Sequence, residues 1–532
     1  MRKSITTSGY TFENIITGGD LYVDKTDFFH QMITINNGLF FLSRPRRFGK
    51  SLSVSIFKNI FKGNKELFKG LKIYDMPYDW KVYPIINLNI SLTDCSSAEA
   101  LNDGLCLNIR ENAKDLNIEL TNSTNSGYLF RELIHKAKDR GKVVILIDEY
   151  DKPLVENIYA THIEEIRQVL ENFYINIKAA DEHLRFVFMT GVTKFSKVSV
   201  FSKLNNLNDI SMDERFATMY GYTQEELEAY FGERIDELAD KKKVDRHEYR
   251  ETIKKWYNGF CFHQDALTVY NPVSVGMFIT KAGQFTSYWL STGSPSFIFD
   301  VLKKQNLDFF STINEPIPDF VLDSFDAANI QAAPLLLQTG YLTIESAQFK
   351  FNKLKYKLNF PNLEIEIAFE HHLLEMLTKQ NIQKVSTEIE QLQEALYSNN
   401  TAEMHRLLHN HIAAIPYAHR SDMEENYQNI IYSIFRLLGA DIHNEVHMNN
   451  GRIDTVIVNH DHIYLFEFKI NQSADTALEQ IKASGYATPY LSAGKPITMI
   501  GINFSKKKRN IIEWKEEQVA FVETGHDAQS HD

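Results

Sequence analysis

The feature that most constrains the fold is a series of apolar runs that alternates with helical periodicity through the N-terminal part of the chain. The predicted strands are Gly38–Leu42, Pro84–Ile90, Val143–Ile147 and Leu184–Met189. The predicted helices beside them are Ser51–Lys62, 98–115, 126–140 and 162–180. Strands that are apolar on both faces need helices packed on both sides of a parallel sheet. The sequence therefore predicts an α/β fold whose ligands bind at the carboxyl ends of the strands.

Composition narrows the class of protein further. Of the 532 residues, 43% are hydrophobic and 24% are charged, which is typical of folded proteins rather than disordered or fibrous chains. At roughly 100–200 residues per domain, the length indicates about three or four domains. The 57 Lys+Arg and 69 Asp+Glu give a net charge of −12, so any nucleic-acid contact must come from local basic patches.

The cysteines and the hydropathy bear on the compartment. Cys95, Cys106 and Cys261 are the three cysteines, and they form no CxxC pair. Neither a disulfide framework nor a cysteine-based zinc site is therefore expected. No uninterrupted apolar run of about 18 residues occurs, so we expect no membrane span or export signal and a cytoplasmic location.

A phosphate-binding loop is predicted where the first strand gives way to a helix. The segment Ser43-Arg-Pro-Arg-Arg-Phe-Gly-Lys-Ser51 ends in the Gly-Lys-Ser of a Walker A loop. Lys50 would reach the β- and γ-phosphates of ATP, and Ser51 would hold Mg²⁺. Backbone N–H groups at the helix N-terminus would face a phosphate. The loop residues predicted to bind ATP in this way are Arg46, Arg47, Phe48 and Gly49. Arg44 replaces the first glycine of the general pattern, and a plain helix cap is the alternative interpretation.

Two acids follow the third predicted strand as in a Walker B motif. Asp148 and Glu149 come directly after Val143–Ile147. Asp148 would bind Mg²⁺ through water, and Glu149 would orient and deprotonate the attacking water. Thr190, at the end of the next strand, is a candidate reporter of the γ-phosphate, and a turn-forming role is an equal alternative. These motifs together predict ATP binding and hydrolysis with Mg²⁺.

Four motifs carry a resemblance to a known family. They are Tyr22-Val-Asp-Lys-Thr26, Arg44-Pro-Arg-Arg-Phe-Gly-Lys-Ser51, Leu146-Ile-Asp-Glu-Tyr-Asp-Lys-Pro153 and Met189-Thr-Gly-Val-Thr-Lys-Phe-Ser196. The chain resembles the bacterial AAA-ATPase-like proteins that carry a C-terminal PD-(D/E)XK nuclease-type domain. The resemblance implies a P-loop ATPase domain and a restriction-endonuclease-like α/β domain. The missing first glycine agrees with this family.

Three arginines of the loop add positive charge beside Lys50. They are Arg44, Arg46 and Arg47. Phosphate binding, action across the subunit boundary of a homo-oligomer and contact with nucleic acid all remain open. A solvated basic loop is an equal alternative for each of them.

A second constellation lies in two predicted strands near the C-terminus, Gly451–Val458 and Ile463–Lys469. Because side chains alternate along a strand, Glu467 and Lys469 share a face, and a hairpin can bring Asp454 to them. This set matches the D…ExK core of PD-(D/E)XK nucleases, with Asp454 and Glu467 as Mg²⁺ ligands and Lys469 as the residue that orients or activates water. A surface pair of Glu467 with Lys469 is the alternative.

A helix before these strands supplies a third predicted metal ligand. The apolar face of Met423–Gly439 runs through Tyr427, Ile431, Ile434 and Leu438. Glu424 lies on that inward face and is our choice for the helix glutamate of the site. Glu425 is the alternative.

Three further features adjoin this constellation. The resemblance implies that Gln480 and Tyr486 lie next to the active site and orient substrate, whereas a surface glutamine and a half-buried tyrosine are the alternatives. The segment Lys506-Lys-Lys-Arg509 adds four positive charges that can follow a phosphate backbone. A solvated charge run is the commoner explanation of such a segment.

The predicted organisation is an AAA-like P-loop domain over 1–215, a helical lid over 216–285, a mostly helical linking region with a hairpin near 340–357 over 286–410, a nuclease-like domain over 411–524 and a tail over 525–532. The leading hypothesis is an ATP-dependent or ATP-gated, Mg²⁺-dependent nuclease that acts on DNA. One alternative is an ATP-switched module that binds nucleic acid or protein without cutting. Another is a domain that holds ATP as a structural clamp. No membrane partner is expected.

Overall fold

The computed structural model describes residues 2–7, 9, 11–35, 38–194, 206–289, 298–299, 301–302, 316–322, 331–378, 381–413, 434–435, 437–438, 441–448, 451–505, 507–508 and 510–519. The chain divides into two compact units. The first comprises Met1–Leu307 and Ser311–Glu366, and the second comprises Asp308–Phe310 and Ile367–Asp532. No helix among the described residues has both the length and the apolar composition needed to cross a bilayer.

The first unit is built on a five-stranded parallel sheet in the order β2-β3-β4-β1-β5. Its strands are β1 (Gly38–Ser43), β2 (Ile85–Asn89), β3 (Val143–Asp148), β4 (Leu184–Gly191) and β5 (Asn208–Asp209). β1 and β3 are buried along their whole length, as their unbroken apolar runs require. The α/β fold with a parallel sheet is thus confirmed. Because β3, β4 and β1 are neighbours, their carboxyl ends meet at one edge of the sheet.

Helices cover this sheet and continue beyond it. Those up to the end of β5 are α1 (Phe12–Thr17), α2 (Thr26–Thr34), α3 (Lys50–Phe61), α4 (Ala98–Asp115), α5 (Ser126–Ala137), α6 (Lys152–Glu156) and α7 (Ile163–Ala179). Local sequence explains several of their ends. For example, the Ser97 hydroxyl accepts the N–H of Ala100 and caps α4, and the Asn125 side chain caps α5 in the same way. α3 packs on β3, and α4, α5 and α7 pack on one another.

A second group of elements follows β5 within the first unit. They are α8 (Gln224–Lys242), α9 (Arg246–Tyr257), α10 (Pro272–Thr280), β6 (Ile317–Pro318), α11 (Asp319–Leu322), α12 (Ala332–Thr339), β7 (Thr343–Lys350), β8 (Lys353–Asn359) and the start of α13 (Leu363–Thr378). α8 begins at a capping box formed by Thr223 and Glu226. β6, β8 and β7 form an antiparallel sheet in that order, and β7–β8 is the hairpin predicted near 340–357.

Within its described residues, the second unit contains the rest of α13, three more α-helices and a five-stranded mixed sheet. Its elements are α14 (Ile382–Tyr397), α15 (Thr401–Ala413), β9 (Asp441–Met448), β10 (Gly451–Val458), β11 (Ile463–Ile470), α16 (Ala474–Ala483), β12 (Ile497–Ser505) and β13 (Asn510–Gln518). The strand order is β13-β12-β11-β10-β9, and the one parallel pair in this sheet is β11–β12, which α16 connects. The sheet extends the two predicted strands on both sides.

Candidate active sites

The loop between β1 and α3 folds around the Lys50 side chain. Gly49 precedes the helix with φ 90°, a left-handed conformation that suits glycine, and a Cβ there would meet open space. The buried Lys50 amine donates to the carbonyl oxygens of Arg44 (2.8 Å) and Pro45 (2.9 Å). Burial lowers the pKa of Lys50 to about 8, and the neighbouring carboxylates, first of all Asp148, oppose this effect. The loop therefore holds a lysine whose charge the adjoining acids stabilise.

Ser51 and Asp148, the two residues predicted to hold Mg²⁺ in this unit, lie side by side. The side chain of Ser51 hydrogen-bonds to the carboxylate of Asp148, which also accepts the N–H of Glu149 (3.0 Å). Burial raises the pKa of Asp148, whereas Ser51 and Lys50 lower it. A hydroxyl and a carboxylate side by side are hard oxygen ligands, so this pair fits Mg²⁺.

Glu149 adopts an uncommon backbone conformation. Its φ is 53°, in the left-handed region that a residue with a Cβ occupies at a cost of about 1–2 kcal/mol. Burial and then Asp148 raise the pKa of Glu149, while Lys50 and Arg46 lower it. Strain of this kind persists where the surroundings fix the backbone, and it is common at functional sites.

Asp151 follows the two Walker B acids but has no role predicted from the motif. Its buried carboxylate accepts the N–H groups of Val192 (3.1 Å) and Thr193 (2.6 Å) and the Thr193 hydroxyl (2.6 Å). The Tyr150 hydroxyl donates to the Thr193 carbonyl (2.8 Å). A Cβ on Gly191 would overlap the Asp151 carboxylate. The turn that carries Glu149 is therefore fixed to the end of β4.

Thr190 and Phe48 have their side chains directed into the protein. The Thr190 hydroxyl donates to the Leu42 carbonyl (3.0 Å) and so ties β4 to β1. The Phe48 ring is buried edge-on against Phe260 (centroids 4.9 Å apart) and Phe262 (5.4 Å). These contacts anchor the loop, and they leave the main chain of Phe48 as its part in the predicted phosphate contact.

The three loop arginines lie in different environments. Arg44 is buried: its guanidinium donates to the carbonyls of Ser43 (3.0 Å) and Ser211 and lies 4.0 Å from the centroid of the Phe262 ring. Burial lowers the pKa of Arg44 to about 10. Arg46 is exposed and Arg47 is half-buried. The expectation of a solvated loop therefore does not hold for Arg44.

The hairpin β10–β11 brings the C-terminal set together. Its register pairs Thr455 with Phe466, so Asp454 and Glu467 come next in line. The Asp454 carboxylate accepts the N–H of Phe468 (2.8 Å), and the N–H of Asp454 hydrogen-bonds to Glu467. The Lys469 amine donates to Glu467 Oε1 (2.8 Å) and to Gln480 Oε1 (2.6 Å). The two acids, the lysine and the glutamine form one cluster.

The charge of Glu467 is only partly compensated in this cluster. Glu467 is buried, and burial together with Asp454 raises its pKa to about 7, against the effect of Lys469. Its buried Oε2 has no hydrogen-bond partner within the described part of the chain. A buried carboxylate oxygen without a partner costs free energy that a bound cation would remove. The donor set therefore fits Mg²⁺.

The structure describes only some of the other residues predicted for this site. Tyr486 is buried in the hydrophobic core with Ile453, Val456 and Ile481. Glu424 and Glu425 lie outside the described residues, as do Lys506 and Arg509. The residues that are described contain no group of three or more acids, histidines or cysteines able to hold a metal. Asp454 and Glu467 are two of the three predicted metal ligands, and the third is Glu424.

Comparisons with known proteins agree with both halves of the chain. Residues 8–201 match the family described as "Predicted AAA-ATPase", and residues 422–514 match the PD-(D/E)XK nuclease superfamily. The "Uncharacterized protein in vnfD 5'region" of Azotobacter chroococcum mcd 1 is 36% identical over 525 residues, which cover 96% of this chain and 98% of the relative. The chain belongs to the family of this relative, the AAA-ATPase-like proteins with a C-terminal PD-(D/E)XK nuclease-superfamily domain.

Proposed function

We propose that the first unit hydrolyses ATP and that the second unit cleaves DNA phosphodiester bonds with Mg²⁺. The observation that carries the nuclease half is the cluster of half-buried Asp454 and Lys469 around the buried Glu467, whose Oε2 has no hydrogen-bond partner within the described residues. Family membership supports ATPase and nuclease chemistry as classes. The choice of DNA as the substrate and of Mg²⁺ as the metal belongs to this proposal.

In the first unit, the protein groups have separate tasks. Lys50 would exchange its bonds to the loop carbonyls for bonds to the β- and γ-phosphates. Ser51 and Asp148 would hold Mg²⁺, which neutralises phosphate charge when bound. Glu149 would accept the proton of the attacking water at its carboxylate, and its raised pKa brings it closer to the operating pH. Asp151 would keep Glu149 in place through its bonds to the end of β4.

In the second unit, Asp454 and Glu467 would hold Mg²⁺, which when bound lowers the pKa of water and offsets charge on the phosphate. The Lys469 amine would orient the attacking water or a phosphate oxygen. Gln480 limits the positions open to that amine, because its Oε1 lies 2.6 Å from Nζ. The buried walls around Glu467 strengthen each of these interactions.

One experiment tests both halves. The purified full chain is incubated with labelled single- and double-stranded DNA and Mg²⁺, with and without ATP, and cleavage and phosphate release are measured. Asp454→Asn is expected to lose cleavage by about a hundredfold or more while keeping phosphate release, and Lys50→Ala is expected to lose phosphate release.

Matched controls come from the same elements. Asp461→Asn changes an exposed acid in the turn after β10, and Lys62→Ala changes an exposed lysine just after α3. Both are expected to behave as wild type. Unchanged cleavage in Asp454→Asn would overturn the nuclease assignment. DNA binding by the wild type without cleavage would favour an ATP-switched binding module.

A further inference from the structure

The hairpin β7–β8 has an exposed tip that neither proposed activity uses. Phe349 and Phe351 are 74% and 86% exposed, although phenylalanine normally lies in the interior. Lys350, Lys353 and Lys355 lie between and beside them. We call these five residues the aromatic–lysine tip.

The lysines share one face of the hairpin, and Phe349, which pairs with Leu354, lies on the other face. Lys350 pairs directly with Lys353 across the two strands, and Lys355 lies two residues further on, opposite Gln348. Like charges placed directly opposite each other destabilise a sheet. At the other end of the hairpin, Lys357 is neutralised by Glu345 at 2.7 Å. Positive charge is therefore concentrated at the tip, in a chain whose net charge is −12.

The turn itself is strained. Phe351 and Asn352 have φ values of 52° and 58°, the two positive values that a type I′ turn requires. Asparagine adopts this conformation readily, whereas a bulky side chain is an outlier there. The Lys350 amine lies 5.4 Å from the centroid of the Phe351 ring. Folding stability thus explains neither the exposed ring nor the lysines next to it.

We propose that the aromatic–lysine tip binds unpaired nucleotides of a nucleic acid. Phe351, in the turn between Lys350 and Lys353, would stack on a base, whose face is accessible only where the strand is unpaired, and the lysines would contact backbone phosphates. This combination of exposed rings and cations is the one that single-strand binding uses. The choice of nucleic acid over other polyanions rests on the proposed nuclease function.

The test measures binding separately from cleavage. Fluorescence anisotropy of a labelled single strand, longer than the roughly 4–16 nucleotides that such sites cover, is recorded in EDTA over a range of salt concentrations. Phe351→Ala is expected to weaken binding about tenfold. The double variant Lys350→Gln/Lys353→Gln is expected to reduce the slope of log K against log salt by about 1.4.

The control is Lys241→Gln/Lys242→Gln, which removes the same charge from two exposed lysines at the end of α8. It is expected to change neither the affinity nor the salt slope. Thermal unfolding of all variants checks that the fold is intact, and exposed positions are expected to shift it little.

Each outcome decides the proposal. Wild-type affinity in the Phe351 and lysine variants overturns it, as does failure of the wild type to bind single strands. Binding to phosphatidylserine vesicles that depends on the tip, without tip-dependent DNA binding, overturns it in favour of a lipid surface. If the tip variants lose binding but wild type leaves DNA uncut in Mg²⁺, the proposed nuclease function fails and this inference stands. If cleavage is normal but binding does not depend on the tip, this inference fails and the proposed nuclease function stands.

Discussion

The contact between Asp151 and Thr193 allows a quantitative test of what fixes the turn that carries Glu149 to the end of β4. Asp151→Asn keeps the shape of the side chain but turns one acceptor oxygen into a donor that faces N–H and O–H groups. Hydrogen bonds to a charged group contribute about 1.5–3 kcal/mol each, so the loss of one or two of the three predicts a fall of about 3 kcal/mol in the free energy of unfolding.

Thr193→Val removes only the hydroxyl that lies 2.6 Å from the carboxylate. It is expected to lower the free energy of unfolding by about 1.5 kcal/mol. Because both variants break the same contact, the double variant should lose less than the sum, with a coupling energy of about 1–2 kcal/mol. Urea unfolding followed by tryptophan fluorescence measures this, since three of the four tryptophans (Trp80, Trp256 and Trp289) belong to the first unit.

The same variants separate a positioning role from a purely structural one. Asp151→Asn is expected to lower kcat for phosphate release at least tenfold with a smaller effect on KM, because Glu149 moves while the phosphate loop does not. Additivity of the two variants within about 0.5 kcal/mol, or an unchanged kcat, would refute the reasoning.

Three other predictions concern single residues. Burial raises the pKa of Glu364 to about 7, so between about pH 4.5 and 7 the folded state binds a proton that the unfolded state has lost. The free energy of unfolding should therefore fall by about 3 kcal/mol as the pH rises through that window. Glu364→Gln should remove this fall when unfolding is measured from pH 5 to 8. Gly49→Ala should lower the free energy of unfolding in urea by only about 1 kcal/mol, because the added Cβ meets open space and only the positive φ is unfavourable. Gly259 is also at positive φ, but there the added Cβ would overlap the Pro361 carbonyl, so Gly259→Ala should lower it by more than about 3 kcal/mol. Gln480→Leu should lower kcat for DNA cleavage about tenfold with little change in KM, since it removes one of the two hydrogen bonds that hold the Lys469 amine; an equal rise in KM would instead indicate a substrate contact.

The parallel sheet of the first unit was predictable because strands that are buried on both faces are continuous apolar runs in the sequence. The predicted run Val143–Ile147 corresponds to β3, and Gly38–Leu42 corresponds to β1. The predicted strand Ile463–Lys469 likewise matches β11. β9, at the edge of the second sheet, was not predicted, because Asp441–Met448 is not an apolar run.

Contacts between distant parts of the chain were not predictable in this way. Arg44 is buried because Ser211 and Phe262 cover it, and Phe48 because Phe260 does, and nothing in the loop sequence names these partners. A basic loop has the same local pattern whether it is solvated or covered. The burial of Arg44 therefore follows from tertiary packing alone.

Asp148 and Glu467 differ from Asp151 in how many of their stabilising partners can be read from the sequence. Against the effect of burial, the Ser51 hydroxyl and then Lys50 lower the pKa of Asp148, and Lys469 lowers that of Glu467, and these partners belong to the sequence motifs themselves. Against the same effect, the pKa of Asp151 is lowered first by the hydroxyl and N–H of Thr193 and then by Lys50, and the N–H of Val192 also donates to its carboxylate. A buried acid has to be compensated by such partners or by a bound metal. Backbone N–H groups leave no pattern in the sequence, so contacts of this kind have to be sought in the structure.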